Sequence, residues 1–211
     1  MKTFRKALSV LLCILTVFSC TAFAFAAEAQ TADVTGFTDE DYLVVKGRKM
    51  YNKKGEHIQL KGVNLGAWLT REDWLCPDHV PEGTQYDGEY IYDTLEERFG
   101  REKAYELFNT YMDNWITEYD FDHIKAMGFN CVRVPFWFRN FYYDDKGTQI
   151  PDENGEWDFS RLEWVVEECS ERGLYVILDM HGAVGYHSDA PHSGKGHSCG
   201  YYEDTEQGER Y

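Results

Sequence analysis

The chain has 211 residues, with 37 acidic against 21 basic side chains and a formal net charge of −16. A surface this negative repels phosphate backbones, which excludes nucleic acid as a partner class. Six cysteines are too few and too scattered to staple a chain of this length together.

The first 26 residues stand apart. Lys2, Arg5 and Lys6 precede an uncharged run from Ala7 to Ala27, and Ala24-Phe25-Ala26 has the small-x-small form of a cleavage site. That order is a secretory signal peptide over residues 1–26, and it places the mature protein outside the cell. If the segment is retained, it is long enough to hold the protein to a membrane, the one circumstance that implies a membrane partner. Cleavage leaves 185 residues carrying 18 basic and 37 acidic side chains, a balance of −19 and enough chain for one core. Of the four cysteines that remain, Cys131 and Cys169 occupy apolar positions and read as buried thiols. Cys76 and Cys199 lie in loops, and their pairing is left open.

Residues 27–41 are small and polar and read as a linker. Two short β runs joined by the turn "NKKGE" follow, with a further strand expected from His57 to Asn64. The acidic, aromatic stretch from 70 to 117 reads as an insertion carrying helices at Tyr92 to Phe99 and Glu102 to Asn114. In "TEYDFDHIKAMG", Phe121, Ile124 and Met127 share a helical face and Gly128 supplies the stop. "FNCVRVPFWF" is a strand. "SRLEWVVEECSERG" is a helix with Leu162, Val165, Val166 and Cys169 inward and a capping box expected between Ser160 and Glu163. "LYVILDMHG" is the next strand; alternation sends Leu174, Val176, Leu178 and Met180 to a helix-covered face, with Tyr175, Ile177, Asp179 and His181 opposite.

Strands alternating with helices, the strands nearly continuous in apolar residues, define an α/β fold with a parallel sheet. "GVNLGAW" lacks the glycine spacing of a dinucleotide-binding loop, and the polar strand ends favour a (β/α)8 TIM barrel with its site at the C-terminal face. Three parallel strands are legible where a barrel has eight. Residues 42–211 are therefore expected to be a partial barrel domain, truncated at the C-terminus and preceded by a β-hairpin.

On the second parallel strand Cys131, Arg133, Pro135 and Trp137 share a face, which aims Arg133 into the barrel near its top. A buried guanidinium keeps its charge and demands a carboxylate. It holds a catalytic acid ionised or it closes a structural ion pair, and Asp179 is the nearest partner for the second role. His181 ends the third strand on the same face, able to meet a sugar hydroxyl or to be a satisfied core histidine. His187, His192 and His197 recur every five residues; neither a helix nor a zinc knuckle uses that spacing, so a solvated loop is expected, with no metal and no cofactor. Trp68, Trp74, Trp137, Phe138, Phe141, Tyr142, Tyr143, Tyr186, Tyr201 and Tyr202 fall in or beside the loops at the strand ends. Exposed there, they would stack on sugar rings or form an interaction patch.

The segments "LKGVNLGAWL", "YDFDHIKAMGFNCVRVPFWF" and "RLEWVVEECSERGLYVILDMHGA" together resemble the first three units of glycoside hydrolase family 5, the cellulase-like retaining barrels. "GVNLGAWLTRE" and "TEYDFDHIKAMGFNCVRVP" are most similar to its exo-β-1,3-glucanase branch. The resemblance implies a secreted enzyme that hydrolyses β-glucan or cellulose-type polysaccharide. It implies Arg133 beside the nucleophile, His181 against the sugar in the −1 subsite, Glu72 on a terminal glucose, and Asn64 and Trp68 in the first substrate loop. It also implies two catalytic glutamates, after strand four and at the end of strand seven, about 5 to 5.5 Å apart in a double-displacement mechanism. Both positions fall beyond Tyr211, so this chain by itself is expected to be inactive. "HGAVGYHSDAPHSG" departs from the branch's loop composition. Two other readings stand beside the enzyme: a non-catalytic carbohydrate-binding protein of the same fold, and a metal-dependent barrel hydrolase using the loop histidines.

Overall fold

The structure, a computed structural model, describes residues 36–72, 75 and 87–203. The signal segment 1–26, Trp74 and Cys76 lie outside the described residues, so the open question of a Cys76–Cys199 pair does too. Among the described residues no helix is long and apolar enough to cross a membrane.

Two sheets organise the chain. Strands β1 (Val44–Lys46), β2 (Lys49–Tyr51) and β3 (His57–Ile58) form an antiparallel meander in that order. Strands β4 (Gly62–Asn64), β5 (Cys131–Trp137) and β6 (Tyr175–Gly182) form a parallel sheet, with β5 central. The single strand expected over 57–64 is therefore two strands in two sheets. Asn130 divides them: its Oδ1 accepts from Lys61 N at 2.7 Å and its Nδ2 donates to the Gln59 carbonyl at 3.0 Å. Those bonds satisfy the backbone between the strands and free β4 to turn toward β5. Gly62 is required at the junction, because a Cβ there would stand 2.0 Å from the Cys131 carbonyl oxygen.

Between β4 and β5 run helices α1 (Gly88–Phe99), α2 (Arg101–Trp115) and α3 (Glu118–Ala126); α4 (Ser160–Glu171) joins β5 to β6, and a short α5 (Gly200–Glu203) follows. Helix α1 begins one turn earlier than the apolar pattern predicts because Asp87 caps it, accepting from Tyr90 N at 2.9 Å. The capping box expected at Ser160 is not formed. Asp158 is the stronger acceptor and takes the Ser160 N–H at 3.0 Å, so the helix enters from one residue further back. Met127 and Val166 are also not inward: they are 63% and 41% exposed, Met127 because it is the C-cap residue of α3.

The core lies between the parallel sheet and α1 to α4. Val132, Val134, Phe121 and Val165 are each 0% exposed, a burial worth roughly 1.5–3 kcal/mol for each such side chain. Phe136, Leu162 and Leu174 extend it. Strand β6 departs from expectation: Leu178 and Met180 are 47% and 44% exposed, and so is Ile177 on the other face at 43%. Among the described residues β6 is an edge strand, and both faces of its outer half are open.

The folded unit begins inside the segment read as a linker. Phe37 N donates to the Ser170 carbonyl at 2.8 Å, the Phe37 ring lies 4.4 Å from that of Tyr175, and Tyr175 Oη donates to the Asp41 carbonyl at 3.0 Å. Residues 37–41 are thus fastened to α4 and β6. The composition that reads as a tether hides one aromatic anchor, Phe37.

Candidate functional site

The register of the parallel sheet builds the site. Asn64 pairs with Arg133 across β4 and β5, while Asp179 sits opposite Pro135 on β6, two residues beyond Arg133's own partner Ile177. Side chains at alternate positions of neighbouring parallel strands share a face, so Asn64, Arg133, Asp179 and His181 converge near the C-terminal strand ends.

Asp179 is the hub. Its Oδ2 accepts from Arg133 Nη2 in a short ion pair and lies 2.8 Å from His181 Nδ1. Arg133 Nη1 donates to Asn64 Oδ1 at 3.3 Å, and Nη2 lies 3.1 Å from His181 Nδ1. An unprotonated Nδ1 at that distance from a carboxylate would set two lone pairs against each other. The arrangement therefore favours Nδ1–H donating to Asp179, with Nε2 left for a ligand. The contact with Arg133 Nη2 is then proximity between two donors that share one acceptor. Arg133, Asp179 and His181 are 34%, 28% and 24% exposed at the side chain, so the cluster is open at one side and can meet a hydroxyl-bearing molecule.

Trp68 has a different role. Trp68 is 2% exposed, its Nε1 donates to the Met112 carbonyl at 2.8 Å and its ring meets Trp164 edge-on. It fastens the first loop to α2 and offers no open face to a substrate. Glu72 stands half-buried, its carbonyl accepting from Leu75 N at 3.0 Å. Four more of the ten aromatics are core rather than platform, Trp137, Phe138, Tyr186 and Phe141 being 1%, 0%, 5% and 8% exposed, whereas Tyr202 is 71% exposed. The strand-end loops are thick enough to bury their own aromatics, which position along the sequence does not reveal.

A second polar cluster was not legible in the sequence. Glu89 on α1 is 7% exposed and accepts from Tyr186 Oη; Arg139, 4% exposed, lies 3.5 Å from Glu89 and 3.2 Å from Glu96, with its guanidinium over the Tyr92 ring. Burial pushes the Glu89 carboxyl above its ordinary value, against the pull of Arg139 and of the Tyr186 hydroxyl. Two bonds from backbone N–H groups complete a clasp: Glu89 N donates to the Gly194 carbonyl and Gly196 N donates to the Asp87 side chain at Oδ2, each at 2.9 Å. The clasp ties α1 to the loop that follows β6. Its one sequence signal is the pair of carboxylates two residues apart at a helix start, Asp87 and Glu89.

That loop is not simply solvated. His192 lies in a 3-10 turn (Pro191–Ser193) and its ring is 5.6 Å from that of His181; His187 lies 6.2 Å from His192. His197 is exposed. Among the described residues no three His, Cys, Asp or Glu side chains converge to hold a metal ion.

A parallel α/β sheet that gathers a guanidinium, an imidazole and their shared carboxylate at its strand ends fits a barrel-like fold. The family description "Cellulase (glycosyl hydrolase family 5)" matches residues 93–209, and the chain belongs to that family. It is 33% identical over 156 residues to a β-xylosidase of Phanerodontia chrysosporium, covering 71% of this chain and 30% of the relative. It is 31% identical over 141 residues to a glucan 1,3-beta-glucosidase of Blumeria graminis, covering 65% of this chain and 31% of the relative. The crystal structure of AoRut shares the fold, with a TM-score of 0.53 and 20% identity over 70% of this chain and 39% of that one. The chain thus spans about a third of the length of the curated relatives it matches.

Proposed function

We propose that this chain is the N-terminal part of the catalytic domain of a secreted, retaining β-glycosidase that acts on β-glucan or related polysaccharide. In this reading residues 1–26 are a signal peptide and 42–211 contribute about three of eight βα units. The single observation that carries it is the cluster of Arg133, Asp179 and His181, with Asn64 at its edge. Asp179 fixes the orientation of both side chains, so that His181 Nε2 faces the opening and can bond a sugar hydroxyl. Arg133 supplies the positive charge that keeps a neighbouring nucleophilic carboxylate ionised. Glu72 would meet the far end of the substrate. The two glutamates of the displacement come from sequence outside these 211 residues, a reading supported by relatives about three times as long.

The test is ligand binding by the purified chain. Addition of laminaribiose or cellobiose should shift the 15N resonance of His181 Nε2, and Arg133→Ala should weaken binding at least about tenfold, the loss of one charge-assisted contact network. No glucan should be hydrolysed by this chain by itself. A chain that binds neither sugar, or that turns one over unaided, would overturn the proposal.

A further inference from the structure

The loop that follows β6 places two imidazoles where the sequence promises only solvated polar residues. His181, His192 and His187 form a row whose successive rings are 5.6 and 6.2 Å apart. His181 joins the three rings to the Arg133–Asp179 cluster, and His187 is close enough to feel both His181 and Asp179. All three side chains are partly exposed and none is core.

The row is held in place rather than draped. Ser193, next to His192, is 0% exposed, and its hydroxyl lies within hydrogen-bond reach of the Ser188 and Ala190 carbonyls at 2.9 and 3.0 Å, pinning the turn from inside. Beyond it Gly194 and Gly196 are bonded to α1 through the Asp87–Glu89 clasp. Tyr186, just before His187, is 5% exposed and donates to Glu89. Each histidine of the loop is therefore next to a residue anchored in the core. A ligand would find these groups already ordered, which lowers the entropic cost of binding.

The chemistry of the row is specific. Burial, with the neighbouring His192 and His181 adding to it, holds the His187 imidazole below its ordinary value, so the ring is neutral at neutral pH. A neutral imidazole carries one N–H and one acceptor nitrogen, the pairing a sugar hydroxyl needs, and it does not select for an anion. Rings 5.6 and 6.2 Å apart offer polar contacts to several hydroxyls at once, and among the described residues no three His, Cys, Asp or Glu side chains converge on an ion.

We infer that His192 and His187 form an extended neutral-sugar subsite, continuous with His181, that recognises the second and third units of an oligosaccharide. The inference rests on the proposed function for the unit at His181 and goes beyond it in assigning the loop. Its residues differ from the side chains that the family resemblance supplies, and they would make this chain's length selectivity its own.

The experiment compares glucose with laminaritriose and cellotriose on the purified full chain, by NMR titration with 15N-labelled histidine. In the wild type a trisaccharide should shift all three imidazoles, and glucose only His181. His192→Ala should lower trisaccharide affinity about five- to tenfold and leave glucose affinity unchanged; His187→Ala should do the same to a smaller degree. His181→Ala should weaken both. His192→Gln, which keeps a donor and an acceptor, should restore most of the trisaccharide affinity, and unchanged thermal unfolding of each variant should show that the fold is intact. Trisaccharide binding that moves His181 but not His192 or His187, or variants that weaken glucose and trisaccharide equally, would overturn this inference and leave the proposed function standing. A wild-type chain that binds no sugar at all would overturn both.

Discussion

His181 Nδ1 stands 2.8 Å from Asp179 Oδ2, and that contact sets which face of the imidazole is chemically available. A carboxylate accepts and cannot donate, so Nδ1 carries the proton and Nε2 presents a lone pair to the opening. Asp179→Ala removes the acceptor while Arg133 Nη2, 3.1 Å from Nδ1, remains a donor. The ring should then switch so that Nδ1 accepts from Arg133 and Nε2 carries the proton. Histidine 1H–15N correlation spectra check this: wild type should show a pyrrole-like Nδ1 and the variant a pyrrole-like Nε2. Identical tautomers in both would mean that Asp179 does not orient the ring.

The buried carboxyl of Glu89 predicts a pH dependence with a definite sign. Its folded-state value lies above the ordinary 4.5, chiefly through desolvation, so between 4.5 and the folded value the native state binds a proton that the unfolded chain has released. Stability contributed by Glu89 is therefore fully present below about pH 4.5 and is lost as pH rises through the folded value, with a slope of at most about 1.4 kcal/mol per pH unit. Glu89→Gln removes this titration. Urea unfolding of both proteins from pH 4 to 8 should show the wild type losing stability relative to the variant as pH rises, then running parallel to it. A difference that instead grows in favour of wild type would mean that Arg139, 3.5 Å away, dominates over burial.

How much of this was legible in the sequence depends on whether the signal was periodic or three-dimensional. Alternation along β5 and β6 placed Arg133 and His181 on one face, because strand periodicity needs no knowledge of neighbours. The pairing of Arg133 with Asp179 was one of two roles that charge left open, and the structure forms that ion pair. Caps were less legible: Ser160 was a plausible cap until Asp158, two residues earlier, proved the better acceptor. The aromatics misled because a loop residue is read as exposed. Trp137 is 1% exposed, enclosed by α1 and the loop after β6. Closing that loop over it joins Gly194 to Glu89, more than a hundred residues apart, and no local pattern records a contact at that separation.

Trp68 separates the two meanings that an aromatic in a strand-end loop can have. Its indole N–H donates to the Met112 carbonyl at 2.8 Å inside the core. Trp68→Phe should remove that bond, at a cost of about 0.5–1.5 kcal/mol seen as a lower urea midpoint. Sugar affinity should not change, since the ring offers no face to the opening at 2% exposure. A variant of normal stability and weakened sugar binding would return Trp68 to the substrate loop.

Gly194 is where backbone conformation and packing meet. Its φ is +105°, which side-chain-bearing residues seldom adopt, and a Cβ there would lie 2.2 Å from Trp137 Cε3. The Trp137 ring cannot retreat: it is 1% exposed, and the ring of Tyr92 meets it edge-on at 5.4 Å. Gly194→Ala must therefore move the loop, breaking the bond from Glu89 N and with it the clasp on α1. The expected cost is about 1–3 kcal/mol of stability, the range for overpacking a filled core. Because His192 is two residues away, the same change should loosen its placement beside His181. Nuclear Overhauser contacts between the two imidazoles should weaken in the variant, while those within the Arg133–Asp179–His181 cluster persist, since β5 and β6 hold that cluster independently of the loop. Retention of the His181–His192 contact in a folded Gly194→Ala protein would show that the turn around Ser193, and not the clasp, fixes the row.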